Sequence, residues 1–321
     1  MGETLTVIGN DEAAIEVVGL ASNTGRSVVW IQSERYHSSW ILSQALRHLV
    51  GNLLSENSAD RRNQLYRLGS PGLLRRLISS ALSHELQDLR NLVEKFGACV
   101  LTGEPRFDSA GHLHLPGGVS SHPAFSTRGP RVVATGARYT SLSDHSDTST
   151  TMSIEQLFAG HVLPQNVCIL GGDGVGAGIA ALLNLFGRQC SLITTGSHDD
   201  ALTEMAIDAG VSVTDYSAHM LLAGKNFGQA TSAIIDCRRK VGSTSHLALE
   251  NIGVEPDDQG QLWCSDVLET WCPGIYGAGA VVGFSPVPSD NATKHALLIL
   301  SHLDGARRRR SGIRPERVAV H

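Results

Sequence analysis

The chain has 321 residues, of which 41% are hydrophobic and 18% charged, with a formal net charge of −5. It is long enough for two domains with separate cores. The mild acidity gives no reason to expect nucleic acid as a partner, and no apolar run approaches the ~20 residues of a membrane span. The N-terminus lacks a basic-then-apolar signal pattern, so we expect a cytoplasmic protein.

The opening residues predict a strand, a glycine turn and a helix. Residues 7–14 read VIGNDEAA, like the first turn of a dinucleotide-binding βαβ unit. Gly9 keeps the first glycine of the fingerprint, and Ala14 is a tolerated third residue. The second glycine, which lets the backbone approach a pyrophosphate, is Asp11. The turn is therefore either a structural relic or a nucleotide site with a carboxylate in the phosphate's place.

The next part of the chain is predicted to be mainly helical. Apolar residues between 40 and 96 recur at spacings of three and four. ACVLTG and, after the turn-like DSAG, GHLHL predict a pair of strands, and RVVATG (131–136) predicts a short buried strand that ends in glycine. The polar run at 141–153 predicts a domain boundary.

A second copy of the opening unit begins near residue 165. Shifting the sequence by 162 positions places Gly9 on Gly171 and Asp11 on Asp173 without a gap. Such repetition predicts two similar nucleotide-binding domains. Residues 169–176, ILGGDGVG, can be aligned in two registers. In the repeat register the aspartate again replaces the second glycine; shifted by one, Gly172 to Ala177 form a complete G-x-G-x-x-A. Both registers stay open.

The second unit is predicted to run to about residue 242. Residues 257–283 then predict a hairpin and a last short strand, and the segment from Ala292 to Arg310 predicts an amphipathic helix with a basic end. Arg307–Arg310 are interpreted as a solvated helix end, with binding to nucleic acid or to an acidic surface as the alternative. The six cysteines and fourteen histidines show no metal-ligand spacing, so we expect no metal site.

Several motifs together resemble the flavoprotein pyridine nucleotide–disulfide oxidoreductases, and within them the soluble pyridine nucleotide transhydrogenases. The resemblance covers nearly the whole chain. Its segments, besides the two glycine turns, are SQALRH (43–48), GEPRF (103–107), ATGAR (134–138), LALENIGVEPDDQGQL (247–262) and GIYGAGAVVG (274–283).

The resemblance implies an α/β fold with two Rossmann-like three-layer domains, the second inserted into the first. Residues 1–150 with 243–321 would form the FAD-binding domain, and residues 151–242 the NAD- or NADP-binding domain. The family's C-terminal interface domain is expected to be absent, so the family-type dimer is not expected. A dinucleotide is the expected partner, if there is one.

The resemblance also assigns cofactor-binding positions, and none of them is catalytic. For FAD they are Gly9, Ala14, Gln32, Thr135, Gly136 and Gly279, and for NAD or NADP they are Gly172, Gly174, Gly176 and Thr194. Gln32 stands where the family has an acidic residue for the ribose hydroxyls, and Thr194 ends the corresponding strand of the second unit. Ala280 replaces the aspartate of the family's flavin motif.

The sequence differs from the family at residues that take part in the family's chemistry. The cysteine pair should precede SQALRH, but HSSW (37–40) contains no cysteine, which excludes disulfide reduction by that route. Gln44 and Gly178 replace a lysine–glutamate pair that lies beside the flavin in the family. Two hypotheses result: a transhydrogenase-like enzyme that passes hydride from NADPH to NAD through FAD, or a pseudoenzyme that keeps the fold as a binding or regulatory module.

Overall fold

The computed structural model describes most of the chain. The described residues are 3–33, 37–55, 70–115, 129–140, 151–159, 163–171, 174–194, 200–215, 233–288 and 291–310. Predictions that concern Gly172, Asp173, residues 141–150 of the polar boundary or the side chains of Arg307–Arg310 therefore lie outside what is described. None of the helices in the described ranges is long and apolar enough to cross a membrane.

The structure contains strands and helices in alternation. The α-helices are α1 (Glu12–Asn23), α2 (Ser39–Ser55), α3 (Pro71–Lys95), α4 (Ile154–Ala159), α5 (Gly174–Leu185), α6 (Asp200–Asp208) and α7 (Ala292–Arg310). The strands are β1 (Leu5–Ile8), β2 (Val28–Gln32), β3 (Cys99–Thr102), β4 (Arg106–Phe107), β5 (Leu113–His114), β6 (Arg131–Val133), β7 (Ala137–Tyr139), β8 (Thr151–Met152), β9 (Asn166–Leu170), β10 (Gln189–Thr194), β11 (Ser212–Asp215), β12 (Ala233–Asp236), β13 (Lys240–Gly242), β14 (Leu262–Trp263), β15 (Ile275–Gly277) and β16 (Val282–Phe284).

The chain divides into two compact units. The first comprises Met1–Ser38, Leu89–Ala137 and Gly242–His321, and the second Ser39–Asp88 and Arg138–Val241. These ranges differ from the predicted domains mainly because residues 39–88 group with the second unit. The reason is packing, since α2 lies against α5 and α6. The predicted domain boundaries themselves stay a prediction.

The first unit is built on a five-stranded parallel sheet. Its strand order is β15-β6-β1-β2-β3, and β1 at the centre pairs with β2 and β6. β1 and β2 are buried along their whole length, as expected for parallel strands covered on both faces. Helices α1 and α7 pack against each other beside the sheet. The carboxyl ends of β1, β6 and β15 therefore lie side by side.

The second unit contains a matching five-stranded parallel sheet. Its order is β11-β10-β9-β12-β8, with β9 between β10 and β12. Helix α5 is buried on almost every side, which fits its run of glycine, alanine and leucine. The predicted strand–turn–helix–strand order is present in both units, as β1-α1-β2 and as β9-α5-β10.

One sequence prediction of strand pairing is wrong. The segment ACVLTG forms β3, which joins the parallel sheet beside β2, and it is β4 that pairs antiparallel with β5 across the DSAG turn. The predicted hairpin in residues 257–283 is present as an antiparallel bridge between Glu269 and Tyr276. In addition, β14 pairs with β16 in parallel and β15 joins the main sheet beside β6, which local turn residues did not indicate.

Candidate nucleotide-binding turns

The first glycine turn is held rigidly between β1 and α1. Gly9 has a φ of +114°, and a Cβ added there would overlap the backbone of residues 134 and 135. Its carbonyl accepts a hydrogen bond of 2.6 Å from the Trp30 indole N–H. The amide side chain of Asn10 donates to the Ser33 carbonyl at 3.1 Å. The turn thus keeps the shape that the fingerprint predicts.

The Asp11 carboxylate fills the middle of this turn. Asp11 is the residue before α1, but its side chain makes no capping hydrogen bond to that helix. Its Oδ2 instead accepts a hydrogen bond of 3.2 Å from the backbone N–H of Ala280, 269 residues further on. The Ser38 hydroxyl also hydrogen-bonds the carboxylate. Asp11 is 4% exposed, so this negative charge is withdrawn from water.

Two predicted FAD-binding glycines pack directly on that carboxylate. Gly136 and Gly279 have φ values of +67° and +73°, in the left-handed region that favours glycine. A Cβ on Gly136 would lie 2.7 Å from the Asp11 carboxyl carbon, and one on Gly279 would overlap Oδ2. Gly9, Gly136 and Gly279 therefore come together as the resemblance implies, but around a side chain of the chain itself.

The electrostatics of Asp11 follow from its burial. Burial raises the pKa of Asp11 to about 6, and the Glu12 carboxylate adds to the shift, while hydrogen bonds from the Ala280 amide, the Ser38 hydroxyl and the Glu12 amide oppose it. At pH 7 the group is therefore largely ionised. A shift of this size corresponds to roughly 3 kcal/mol that the folded chain loses by keeping the carboxylate charged. No cation was found beside it among the contacts of the described residues.

The loop that carries Ala280, whose N–H donates to Asp11, is also held by a hydrogen bond to His295. The N–H of Gly279 donates to Nδ1 of His295 at 3.0 Å, and Nε2 of His295 lies 2.9 Å from the Pro288 carbonyl oxygen. His295 is fully buried at the start of α7. Because Nδ1 accepts, the proton of a neutral ring sits on Nε2 and is donated to Pro288. The amides of residues 279 and 280 thus both have internal acceptors.

Gln32, at the predicted ribose position, is also engaged internally. Its Oε1 accepts hydrogen bonds of 2.9 and 3.3 Å from the guanidinium of Arg90 on α3. Arg90 donates in addition to the Thr102 hydroxyl at the end of β3, at 2.9 Å. Gln32 is fully buried. Sequence reasoning missed Arg90, because nothing in its local pattern indicates a partner 58 positions away.

Two buried polar atoms near the first turn have no hydrogen-bond partner within the described part of the chain. They are Oδ1 of Asn10 and Oγ1 of Thr135. Ala14, by contrast, is simply packed: it is fully buried in α1. Thr135 is the predicted cofactor contact that retains an unsatisfied polar atom, which is the feature of this turn that most resembles a ligand site.

The second glycine turn has a different neighbourhood. Gly171 has a φ of +105°, and a Cβ there would lie 2.9 Å from the Cys237 carbonyl and 3.2 Å from the Arg238 nitrogen. The Arg238 guanidinium donates two hydrogen bonds to the Asp236 carboxylate, of 2.9 and 2.7 Å. Burial of Asp236 would raise its pKa, but these bonds outweigh burial and lower it. Sequence reasoning did not connect Arg238 with this turn.

The remaining predicted residues of the second unit are mainly packed. Gly174 and Gly176 begin the buried α5, and a Cβ on Gly176 would overlap the Gly171 carbonyl. Gly176 therefore serves close helix–strand packing, the role of the third fingerprint glycine. The Thr194 hydroxyl is buried and donates to the Thr214 carbonyl at 3.5 Å. Gly172 lies outside the described residues.

Packing explains one of the substitutions at the family's ion-pair positions. A Cβ on Gly178 would lie 2.8 Å from Cβ of Leu46, because α2 approaches α5 closely there. A glutamate at this position would overlap Leu46. Gln44 lies on the same helix, α2. Losing both charged partners leaves no buried charge stranded, so the fold can persist without the pair.

The first turn does not fit the diphosphate of FAD. A negative side chain and two glycines in contact with it occupy the position that a phosphate would need. An ionised carboxylate ~4 Å from a phosphate charge would cost about 4 kcal/mol at an effective dielectric constant near 20, and protonating Asp11 instead, at its pKa of about 6, would cost about 1.4 kcal/mol at pH 7. The orphaned Thr135 hydroxyl does not offset a term of this size, since a neutral hydrogen bond contributes only about 1 kcal/mol.

Comparison with known proteins supports the assignment of the fold. No family model matches the chain. It is 24% identical over 320 residues to the soluble pyridine nucleotide transhydrogenase of Hahella chejuensis, covering 89% of this chain and 67% of the relative. With the transhydrogenase of Photorhabdus laumondii the identity is 25% over 315 residues, covering 88% and 65%. The chain thus spans about two thirds of these relatives.

Solved structures with the same fold include flavoprotein disulfide reductases. The HOCl-induced flavoprotein disulfide reductase RclA of Escherichia coli, as the Cu(II) complex of its C43S mutant, superposes with a TM-score of 0.60 at 16% identity, covering 94% of this chain and 71% of that one. LpdA of Mycobacterium tuberculosis gives a TM-score of 0.57 at 17% identity, covering 95% and 73%. The sequence similarities and the shared fold together support the assignment of the chain to the pyridine nucleotide–disulfide oxidoreductase family.

Proposed function

We propose that this chain is a non-catalytic nucleotide-binding member of its family, with a flavin site that is closed by its own Asp11. The single observation that carries the proposal is the buried Asp11 carboxylate, hydrogen-bonded to the Ala280 amide and enclosed by Gly136 and Gly279. The second unit is proposed to keep a site for NAD or NADP.

The architecture proposed is that of two Rossmann-like domains, the second inserted into the first. Residues 1–150 and 243–321 would form the flavin-type domain and residues 151–242 the pyridine nucleotide domain. The offset of 162 positions between the two glycine turns supports this arrangement. The two five-stranded parallel sheets, each with its glycine turn beside the central strand, support it as well.

Electrostatics supports the loss of FAD. Protonating Asp11, whose pKa is about 6, costs ~1.4 kcal/mol at pH 7, so its charge would weaken binding of a diphosphate about tenfold, and the volume of its side chain adds to this. The internal bonds of Gln32 to Arg90 would also have to break before a ribose could be held. In this family the flavin supplies the hydride-transfer chemistry and the protein orients the rings, so a chain without flavin has no route to that reaction.

The charged residues near the second turn favour nucleotide binding more than those near the first turn. The basic run Arg238, Arg239 and Lys240 follows β12, next to Gly171. Arg238 is positioned by Asp236, and Arg239 is exposed. The second turn also carries an acid, Asp173, outside the described residues, and Arg238 is already paired with Asp236. The proposed second site rests on the net positive charge that the basic run adds, which would favour a diphosphate at the N-terminus of α5, whereas the first turn carries Asp11 and Glu12. Gly174, Gly176 and Thr194 remain the proposed contacts in this unit.

A second candidate is a working transhydrogenase-like enzyme that passes hydride from NADPH to NAD through FAD. The observation in its favour is the identity of 24–25% with soluble transhydrogenases across nearly nine tenths of this chain. For this candidate, a counter-cation or a rearranged Asp11 would have to neutralise the first turn.

The two candidates are separated by purifying the full chain and recording its absorption spectrum. We expect colourless protein with no flavin absorbance and no oxidation of NADPH in the presence of NAD. Titration calorimetry with FAD, NADH and NADPH should then give heat only with a pyridine nucleotide. Yellow protein with stoichiometric flavin would contradict the closed site, and no binding of either pyridine nucleotide would contradict the proposed second site.

A further inference from the structure

Three large aromatic side chains form a cluster on the surface of the first unit. Trp263 is 46% exposed, Trp271 65% and Phe284 60%. The ring centroids of Trp263 and Trp271 are 6.1 Å apart, and those of Trp263 and Phe284 are 5.4 Å apart. A whole aromatic side chain has a surface of about 150–250 Å², so the exposed parts of the three side chains together amount to roughly 300 Å². Contiguous apolar surface of this size on a globular protein is often a binding site.

The backbone beneath this aromatic cluster (Trp263, Trp271 and Phe284) is tightly fastened. The turn between the two tryptophans is closed by a hydrogen bond from the Ser265 N–H to the Glu269 carbonyl. Leu268 within it has a φ of +64°, a conformation that costs a non-glycine residue on the order of 1 kcal/mol and is kept only when the surroundings enforce it. The Ser285 hydroxyl, next to Phe284, donates to the Ser265 carbonyl at 3.1 Å. The backbone that carries the three rings is therefore fixed without a binding partner.

The segment that carries the aromatic cluster bears charge of one sign only. Residues 255–288 contain no lysine, arginine or histidine, and their acidic residues are Glu255, Asp257, Asp258, Asp266 and Glu269. Asp266 is exposed on the turn between the two tryptophans. Aromatic faces in a negative field suit a guanidinium, which stacks on rings and pairs with carboxylates.

Three described arginines of the first unit contact residues outside the aromatic cluster. Arg26 pairs with Asp304 at 2.5 Å, Arg90 with Gln32, and Arg131 lies over the Phe107 ring at 5.5 Å. The chain nevertheless carries a strongly basic run, with six arginines between residues 307 and 317. This run begins in the last turn of α7 and continues beyond the described residues.

We propose that the aromatic cluster, with the exposed Asp266 beside it, binds the arginine run of a second copy of this chain. Charge complementarity between two segments of one sequence supports this occupant, because both halves of the contact are present wherever the chain is. The contact differs from the family's interface-domain dimer, and it does not depend on whether either glycine turn binds a nucleotide. An interface of this size makes a weak, salt-sensitive association.

The test is sedimentation velocity of the full chain across a wide concentration range, in low and in high salt. We expect a concentration-dependent monomer–dimer equilibrium in low salt that high salt weakens. Combining Trp271→Ser with Phe284→Ser should raise the dissociation constant about tenfold or more, as should replacing Arg307–Arg310 together by glutamine. Ile207→Ser, which removes another side chain that is 55% exposed, is the matched control and should change nothing.

Mixing the two defective variants distinguishes contact between copies from contact within one chain. The aromatic variant keeps its arginine run and the arginine variant keeps its aromatic cluster, so a one-to-one mixture can still form one contact. We expect the mixture to associate although each variant alone does not. A wild-type chain that stays monomeric in low salt, a dimer insensitive to both variants, or a mixture that stays monomeric would each overturn the proposal.

Discussion

The two glycine turns of this chain share one sequence pattern but differ in the charged groups described beside them. At the first, the Asp11 carboxylate is buried and accepts a hydrogen bond from the Ala280 amide, so a negative charge is fixed inside the turn. At the second, the turn packs against Cys237 and Arg238, and the Asp236 carboxylate pairs with that arginine, while Asp173 lies outside the described residues. The same backbone shape can thus pack against a buried carboxylate or against an ion-paired arginine.

The largest expected effect comes from removing the charge at the first turn. Asp11→Gly should strengthen FAD binding about tenfold or more at pH 7, because the ~1.4 kcal/mol needed to protonate Asp11, whose pKa is about 6, is no longer required and space is opened. Fluorescence titration of flavin measures it, and adding Ala280→Asp, which restores the family's residue, should strengthen it further. Asp11→Asn is the matched control: it removes the charge but keeps the volume, and should gain less. No gain in either glycine variant would mean that this turn does not correspond to a flavin site.

The pH dependence of stability should report the same carboxylate. The folded pKa of Asp11 is about 6, above its ordinary 3.8, so the folded chain binds the proton more tightly than the unfolded chain. The free energy of unfolding should therefore fall as pH rises from about 4 to about 6, and stay lower above that. Relative to Asp11→Asn, the wild type should lose roughly 3 kcal/mol across this window.

Urea denaturation of both proteins at several pH values measures this difference. Taking the difference between the two proteins cancels the other titrating groups. A gap that does not change with pH would show that Asp11 is not buried as a charged group.

A smaller loss is expected when the internal partner of Gln32 is removed. Arg90→Ala leaves the fully buried Gln32 acceptor without its guanidinium, which should cost about 1–3 kcal/mol of stability. Thermal denaturation measures it, with Arg76→Ala, an exposed arginine earlier on the same helix, as the control. If FAD binding improves in Arg90→Ala while stability falls, the ribose position was being blocked by this hydrogen bond.

The smallest effect concerns the second turn. Arg238→Gln should weaken NADH or NADPH binding about tenfold, the value of one charge-assisted contact of about 1.4 kcal/mol. Titration calorimetry measures it, and Arg239→Gln, the exposed neighbour, should have a lesser effect. Equal affinities in the wild type and in Arg238→Gln would place the nucleotide, if one binds, away from this arginine.

Sequence reasoning recovered the elements that depend on local pattern. The glycine turns, the strands on either side of each, and the helical segment between residues 40 and 96 follow from periodicity and from the positive φ that glycines such as Gly9 and Gly171 permit. It did not find the partners of these residues. Arg90 lies 58 positions from Gln32, and His295 lies 16 positions from Gly279, so no local rule connects either pair.

The sequence by itself determined that the first turn carries an acid where a glycine was expected, and that the chain repeats one unit at a fixed offset. Only the tertiary structure decided what the acid does. Whether a carboxylate points to water or into the turn depends on groups from β6, β15 and α7 that converge there. Burial and hydrogen bonds from the Ala280 amide and the Ser38 hydroxyl, which long-range packing brings to it, turn Asp11 from a surface charge into a buried group inside the turn.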